Sequence, residues 1–230
     1  MIVFYELAGD DGRRFSPHCW RTRMALAHKK LAYQTVAVGF TDIPSIGDGT
    51  HKTVPVIEDR GRFFGDSWTI ANYLEEVYPE QPSLFGGATG RALTQLAQNW
   101  VGDVLHRGVI ELVVLDIHDQ LSERDKNYFR ASRERRFGRR LEEVQQGRET
   151  RVEMFRTSLE PLRKTLAAQP WLSGDEPHYA DYVAFGALQW PRIISRFPIL
   201  SDDDRIAQWF VRCLDLFDGL GRRALPTSQE

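Results

Sequence analysis

Ser16-Pro17-His18-Cys19-Trp20-Arg21-Thr22-Arg23-Met24-Ala25-Leu26 is the stretch on which the reading of the chain turns. Its spacing predicts a helix from Pro17 to about Lys30. Ser16 can act as N-cap, its hydroxyl accepting from an unpaired backbone N–H. Pro17 falls in the first turn, where its missing N–H costs nothing. Trp20, Met24, Ala27 and Leu31 recur at helical spacing and mark a buried stripe. Lys29 and Lys30 fall in the last turn, where cations complement the helix dipole. The positive end of the dipole is therefore left open at Ser16, where it can hold a carboxylate, a phosphate or a thiolate.

Working outward, Ile2 to Glu6 reads as a short strand and Tyr33 to Val38 as a second, β-rich and alternating. Strand, helix and strand make a βαβ unit. A loop rich in Gly, Asp and Pro follows over 39–50, with room for a short irregular helix. Thr53 to Phe64 then reads as strand, turn around Asp59 to Gly61, and antiparallel strand. Gly65-Asp66-Ser67 opens a further helix that runs to about Val77 and is stopped by Pro79 and Pro82. The order β-α-β-α-β-β-α is similar to the thioredoxin-like topology. Beyond Pro82-Ser83-Leu84-Phe85-Gly86-Gly87 the strand signal vanishes. Helical patterns occupy 88–119, 122–146, 149–168, 180–195 and 203–218, with Pro161 predicting a helix start or a kink. The expected organisation is a thioredoxin-like α/β domain over 1–81, a linker over 82–88 and an all-α domain over 89–230.

Composition narrows the function. The 230 residues carry a net charge of −2, and neither half has a basic excess, so the chain does not read as a nucleic-acid module. Cys19 and Cys213 form no disulfide framework, and Ile2 to Tyr5 is interrupted at once by Glu6, so a reduced, cytoplasmic protein with no membrane partner is expected. The six histidines have no metal-binding spacing. The arginines at 130, 133, 135, 136, 139 and 140 read as a solvated helix face balanced by Glu134, Glu142 and Glu143.

Three motifs carry chemistry. A proline inside a strand pattern, Val54-Pro55, marks either an edge strand or a cis peptide that leaves the Val54 N–H and C=O free to pair with an extended peptide. Asp66-Ser67 is a helix N-terminus, and can also clamp an amino-acid head: the Asp66 carboxylate takes the ammonium, the Ser67 hydroxyl and N–H take the carboxylate. A γ-glutamyl group offers both charges on one carbon. At Ser16-Pro17-His18-Cys19 a redox protein would have cysteines at both ends. Here the first position is a hydroxyl, which suits donation to a thiolate the protein borrows; the plainer reading is a simple N-cap.

Ser16 before a helix, Val54-Pro55 and Asp66-Ser67, followed by a linker and an all-α domain, resemble the cytosolic glutathione transferases over essentially the whole chain. The resemblance implies glutathione as co-substrate. It assigns thiol activation to Ser16, pairing with the cysteinyl backbone to Val54 and Pro55, the γ-glutamyl end to Asp66 and Ser67, and the glycyl carboxylate to Lys52, with His51 as competitor. It also implies a homodimer. The family's helix-capping pair is incomplete here: Asp181 is present, but the cap position is His178. A narrower set of segments resembles the bacterial β-etherases of lignin breakdown and their fungal etherase-like relatives: Ser16-Pro17 with Trp20 to Arg23, Gly65 to Trp68, Pro82 to Phe85, Arg124-Asp125 with Gly147 to Glu149, and Phe217 to Gly221. That branch implies thiolate attack on an electrophilic aromatic compound, releasing a phenol, or a broader detoxifying transferase. A glutathione-dependent isomerase or dehalogenase and a non-catalytic carrier of aromatic ligands are the alternatives. Trp100, His106, Leu115, His118, Trp190 and Trp209 lie in the helical half, where most read as core and a few as walls of an aromatic pocket.

Overall fold

Ile2–Leu7 (β1) is the strand from which the molecule is built, and a computed structural model describes it with the rest of residues 1–224. The end of the all-α range, 225–230, lies outside the described residues. β1 pairs in parallel with Tyr33–Val38 (β2) and antiparallel with Val56–Asp59 (β3), which pairs antiparallel with Arg62–Gly65 (β4). The sheet order is β2-β1-β3-β4. The β3–β4 turn puts Arg60 and Gly61 at φ +52° and +73°, and a glycine suits the second of these. Strand β3 starts three residues later than the sequence pattern suggests. Residues 51–55 keep an irregular path instead.

The crossover between β1 and β2 is Pro17–His28 (α1). Its buried surface is much broader than one stripe: Cys19, Trp20, Arg21, Thr22, Met24, Ala25 and Leu26 are all buried. Two partners account for this, because α1 packs on Ser67–Val77 (α2) and, more extensively, on Tyr179–Ile194 (α9) of the helical half. The helix ends two residues short of the expected Lys30. Lys29 is not a solvent-facing complement to the dipole; it is fully buried, with Nζ 2.7 Å from Glu75 Oε2 and 3.1 Å from the Tyr78 carbonyl.

The helical half runs through Ala88–Trp100 (α3), Arg107–Asp119 (α4), Glu123–Phe137 (α5), Leu141–Gln145 (α6), Arg148–Ser158 (α7), Glu160–Ala168 (α8), α9 and Arg205–Gly219 (α10). α3 and α4 are one rod interrupted by a wide π-helical turn, Val101–His106. Pro161 sits in the first turn of α8, the position that tolerates it. Ser122 caps α5, and Gly138, at φ +66°, ends it. Asp125 reaches back to the N–H groups of Phe40 and Thr41 at 2.9 Å each, fastening the loop after β2 to α5.

Helix α9 is the axis of this half and is buried along almost its whole length. Asp181 organises its start: its carboxylate accepts from the backbone N–H of Leu172, Ser173 and His178 and from the Trp209 indole. Burial still pushes the carboxyl upward from its ordinary value. The His178 imidazole faces the Pro177 carbonyl at 2.8 Å and makes no capping bond, so the acidic half of the capping pair works alone. No helix among the described residues is long and apolar enough to cross a membrane.

Candidate functional site

The end of α1 left open at Ser16 borders a cavity of about 650 Å³ between the sheet half and the helical half. Ser16 is 5% exposed; its Oγ accepts from the Cys19 N–H at 3.3 Å, so the hydroxyl proton is still available to a ligand. Pro17 has no N–H, and the His18 N–H has no partner among the described residues. A hydroxyl and a backbone donor at the positive end of a helix suit an anionic sulfur or oxygen.

Lys52, Thr53 and Val54 line the same cavity. The Val54–Pro55 peptide is cis. Neither the Val54 N–H nor its carbonyl is hydrogen-bonded among the described residues, although β3 begins two residues later. His51 does not line the cavity; its ring lies 6.2 Å from that of Phe63. Of the two candidates for a carboxylate on this side, Lys52 is the one at the cavity.

Asp66 and Ser67 stand apart from the cavity wall, at the start of α2. Asp66 has φ +69° and ψ 128°, a conformation L residues rarely adopt. One carboxylate oxygen accepts from the N–H groups of Trp68 and Thr69, at 3.0 and 2.9 Å. Its second oxygen has no partner among the described residues. Ser67 is buried, and its carbonyl accepts from the Tyr179 hydroxyl at 2.6 Å. Strained caps of this kind persist where the surroundings over-determine them, commonly at ligand clamps.

Arg21, which the sequence reading passed over, connects the two regions. It is 4% exposed, has no hydrogen bond among the described residues, and its Nε is buried without a partner. Burial lowers its pKa, while the nearby Tyr179 and Asp66 oppose that shift. A buried guanidinium without a hydrogen bond is costly.

The opposite wall comes from the π-helical turn, α5 and α9. The turn places Gly102, Asp103 and His106 at the cavity, and such turns occur frequently at functional sites. The His106 ring lies 5.0 Å from that of His18 and 4.9 Å from that of Trp190. Both imidazoles are held neutral. Burial, then Arg21 and His106, take His18 well below its usual value; burial, then Arg21, Arg136 and Arg133, take His106 to about 3. Arg133 and Arg136 line this wall, which corrects the reading of the arginine run as a wholly solvated face. Among the other helical-half candidates, Trp209 is core, donating to Asp181.

Cys19 is 2% exposed and its thiol is pushed up to about 12, chiefly by burial. It is unsuited to act as a nucleophile. Among the described residues there is no group of three His, Cys, Asp or Glu side chains placed to hold a metal ion.

Comparison with known proteins gives a consistent picture. Residues 12–82 match the family model "Glutathione S-transferase, N-terminal domain", and residues 92–216 match "Glutathione S-transferase, C-terminal domain". A maleylacetoacetate isomerase of Dictyostelium discoideum is 32% identical over 95 residues, spanning 36% of this chain and 41% of that protein. The glutathione S-transferase-like protein ustS of Aspergillus flavus is 26% identical over 219 residues, spanning 82% of this chain and 78% of that protein. Among solved structures, the glutathione transferase GSTFuA2 of Phanerochaete chrysosporium superposes with a TM-score of 0.79 at 28% identity, covering 98% of this chain and 99% of that one. A glutathione S-transferase of Ceriporiopsis subvermispora, solved in complex with glutathione, gives 0.76 at 26% identity, covering 100% and 99%.

Proposed function

Because the chain belongs to the glutathione S-transferase family, we propose that it binds glutathione with the cysteinyl sulfur at Ser16 and transfers that sulfur to an electrophilic carbon of a small aromatic acceptor. The observation that carries this reading is the Ser16 hydroxyl, nearly buried, capping an open helix end on a cavity that it shares with Lys52 and Val54.

In this reading the Ser16 hydroxyl and the His18 N–H donate to the sulfur, and the helix end adds its dipole. Together they lower the thiol pKa and raise the thiolate fraction. The unpaired Val54 N–H and C=O bond the cysteinyl backbone as a short strand would. Lys52 takes the glycyl carboxylate. Asp66 takes the γ-glutamyl ammonium on its free oxygen, and Ser67 takes the adjoining carboxylate. Buried Arg21, near Asp66 and without a hydrogen bond of its own, adds a positive charge to face that carboxylate.

The acceptor lies between the sulfur and the His106, Trp190 and α5 wall. The β-etherase resemblance makes an aryl ether with a ketone next to the ether carbon the acceptor of choice. The thiolate forms a C–S bond at that carbon, the C–O bond breaks, and the phenolate leaves with the electron pair. No oxidant is consumed. Holding sulfur and carbon in line supplies much of the acceleration, and a phenolate leaves without a strong general acid. An isomerase reading is favoured only by the short match to maleylacetoacetate isomerase.

The test is Ser16→Ala. The thiolate absorbance of bound glutathione, followed against pH, should titrate about one unit or more higher, and the conjugation rate at neutral pH should fall about tenfold. An unchanged thiol pKa and rate would reduce Ser16 to a helix cap. Incubation of the wild type with glutathione and a β-aryl ether ketone should release free phenol and a thioether; binding without turnover would instead mark a carrier. The dimer and the cytoplasmic location are proposals of the same standing, the first tested by light scattering in solution.

A further inference from the structure

Two arginines on the acceptor side of the cavity have no anion to hold. Arg133 and Arg136 lie one turn apart on α5, and both line the cavity. Neither has a carboxylate partner among the described residues. Arg133 donates only to the Ser132 hydroxyl, at 3.1 Å, and lies over the rings of Phe129 and Phe40, at 4.8 and 5.7 Å.

Three of the neighbouring acids are committed elsewhere. Glu134 and Glu142 both bind Arg130, and Glu134 also takes the Leu141 N–H. Glu111 is shared by Arg107 and Arg151 at 3.7 Å each. Asp103 and Glu111, on the π-helical turn and α4, line the same cavity and also border a second one that extends toward α7; neither is paired with Arg133 or Arg136. What remains on the α5 side is two like charges against aromatic rings. Burial and the charge of Arg136 lower the pKa of Arg133, and the same two arginines contribute to holding His106 neutral. Two guanidinium groups left together with no counter-charge repel one another, and a ligand anion relieves that repulsion.

We infer that the acceptor is an aromatic compound carrying an acidic group, a carboxylate or a sulfonate, seated on Arg133 and Arg136 with its ring against Phe40. This rests on the transferase reading for the identity of the site, and it deepens that reading by naming the substrate class. Lys52 is on the Val54 side and serves the glycyl end, so the α5 pair is assigned to the acceptor.

The probes are anilinonaphthalene sulfonate and its uncharged counterpart phenylnaphthylamine, both read by fluorescence on binding to the full chain. Arg136→Met removes one charge at an exposed position, and Arg133→Met removes the other while keeping an apolar stem over the two rings. Each substitution should weaken the sulfonate about tenfold, the loss of one charge-assisted pair, and leave the uncharged probe within about twofold. Arg133→Lys, which keeps the charge, should recover most of the sulfonate affinity. The inference is overturned if both probes weaken equally, if neither weakens, or if the loss falls on glutathione instead, which would give the pair to the tripeptide's own carboxylate. Glutathione titration of the wild type tests the transferase reading separately, because neither fluorescent probe needs glutathione or turnover to report.

Discussion

Gly186 decides how closely α9 approaches the Ser16 end of α1, and Gly186→Ala tests that directly. A Cβ built at Gly186 meets the Pro17 carbonyl oxygen at 2.3 Å, the Pro17 carbonyl carbon at 3.3 Å and Arg21 Cγ at 3.4 Å. Ordinary contact begins near 3.4 Å, so the two helices must part by about 1 Å. The obstacle is backbone, so no side-chain rotation relieves it. Two effects compete. Alanine in a helix interior gains about 1 kcal/mol over glycine. Overpacking typically costs about 1–3 kcal/mol, and a backbone wall puts this site in the upper part of that range. The balance is a loss of about 1–2 kcal/mol, or roughly 2–8 °C in melting temperature for a chain of this size.

The functional effect should be larger than the stability effect, because Ser16 is the residue before Pro17. A misplacement of about 1 Å can cost about 100-fold in rate. Urea denaturation and initial conjugation rates at saturating glutathione measure the two effects. Gly102→Ala is the control for stability: its Cβ meets nothing within 4 Å, so it should be neutral or stabilising. If Gly186→Ala is as stable and as active as the wild type, the reasoning about α9 as a spacer is refuted.

Two further expectations concern the other end of the site and the response to acid. Asp66→Asn keeps a good N-cap and a residue tolerant of positive φ, so stability should hold within about 0.5 kcal/mol while glutathione affinity falls about tenfold; equal affinities would remove Asp66 from the clamp. His28 lies between the Tyr182 hydroxyl at 2.6 Å and the Ser83 carbonyl at 3.0 Å, and burial, followed by His178, takes its pKa down to about 4. Between about pH 6.5 and 4 the unfolded chain therefore binds a proton that the folded chain does not. Stability should fall as the pH drops through that window, by up to about 1.4 kcal/mol per pH unit from this group. His28→Gln should reduce the slope of the urea midpoints between pH 6.5 and 4 by the share of this one group, leaving the parts that His18 and His106 contribute in the same direction, and an undiminished slope would remove His28 from the account.

What could be read from the chain alone was local. Ser16-Pro17 announces the start of α1 because both residues act within one turn. The turn between β3 and β4 is marked by Gly61, and Pro161 marks the start of α8, for the same reason. The Val54 backbone was legible because proline acts on the residue beside it. What could not be read depends on contacts between distant residues. Nothing in the spacing of Arg21 says that it will face Asp66, or that His18 will meet His106 across the cavity. Lys29 looked like a surface cation because its partner, Glu75, lies on another helix. The π-helical turn left the apolar period of α3 and α4 almost undisturbed, so the two read as one helix. On α5, Arg130 and its neighbouring glutamates gave the charge balance of a solvated face; only the fold separates the paired arginine from the two that turn to the cavity.

The contacts of helix α9 with the sheet half include Gly186 beneath Pro17, Tyr179 at the Ser67 carbonyl, Tyr182 at His28 and Phe185 edge-on to Trp20. The segment that sets the spacing between the start of α1 and the start of α2 is thus encoded more than 100 residues downstream of either. This gives the molecule a seam that does not follow its domain boundary. The wall built by residues 101–137 meets the first half by other contacts: the His106 ring stands 5.0 Å from that of His18, and Asp125 holds the N–H groups of Phe40 and Thr41. An exchange of that wall with a relative's has to keep those contacts. An exchange that carries α9 with it replaces the gauge as well as the wall. Changes in α4 and α5 away from those contacts leave the spacing set by α9 in place, whereas α9 and the first 80 or so residues must change together.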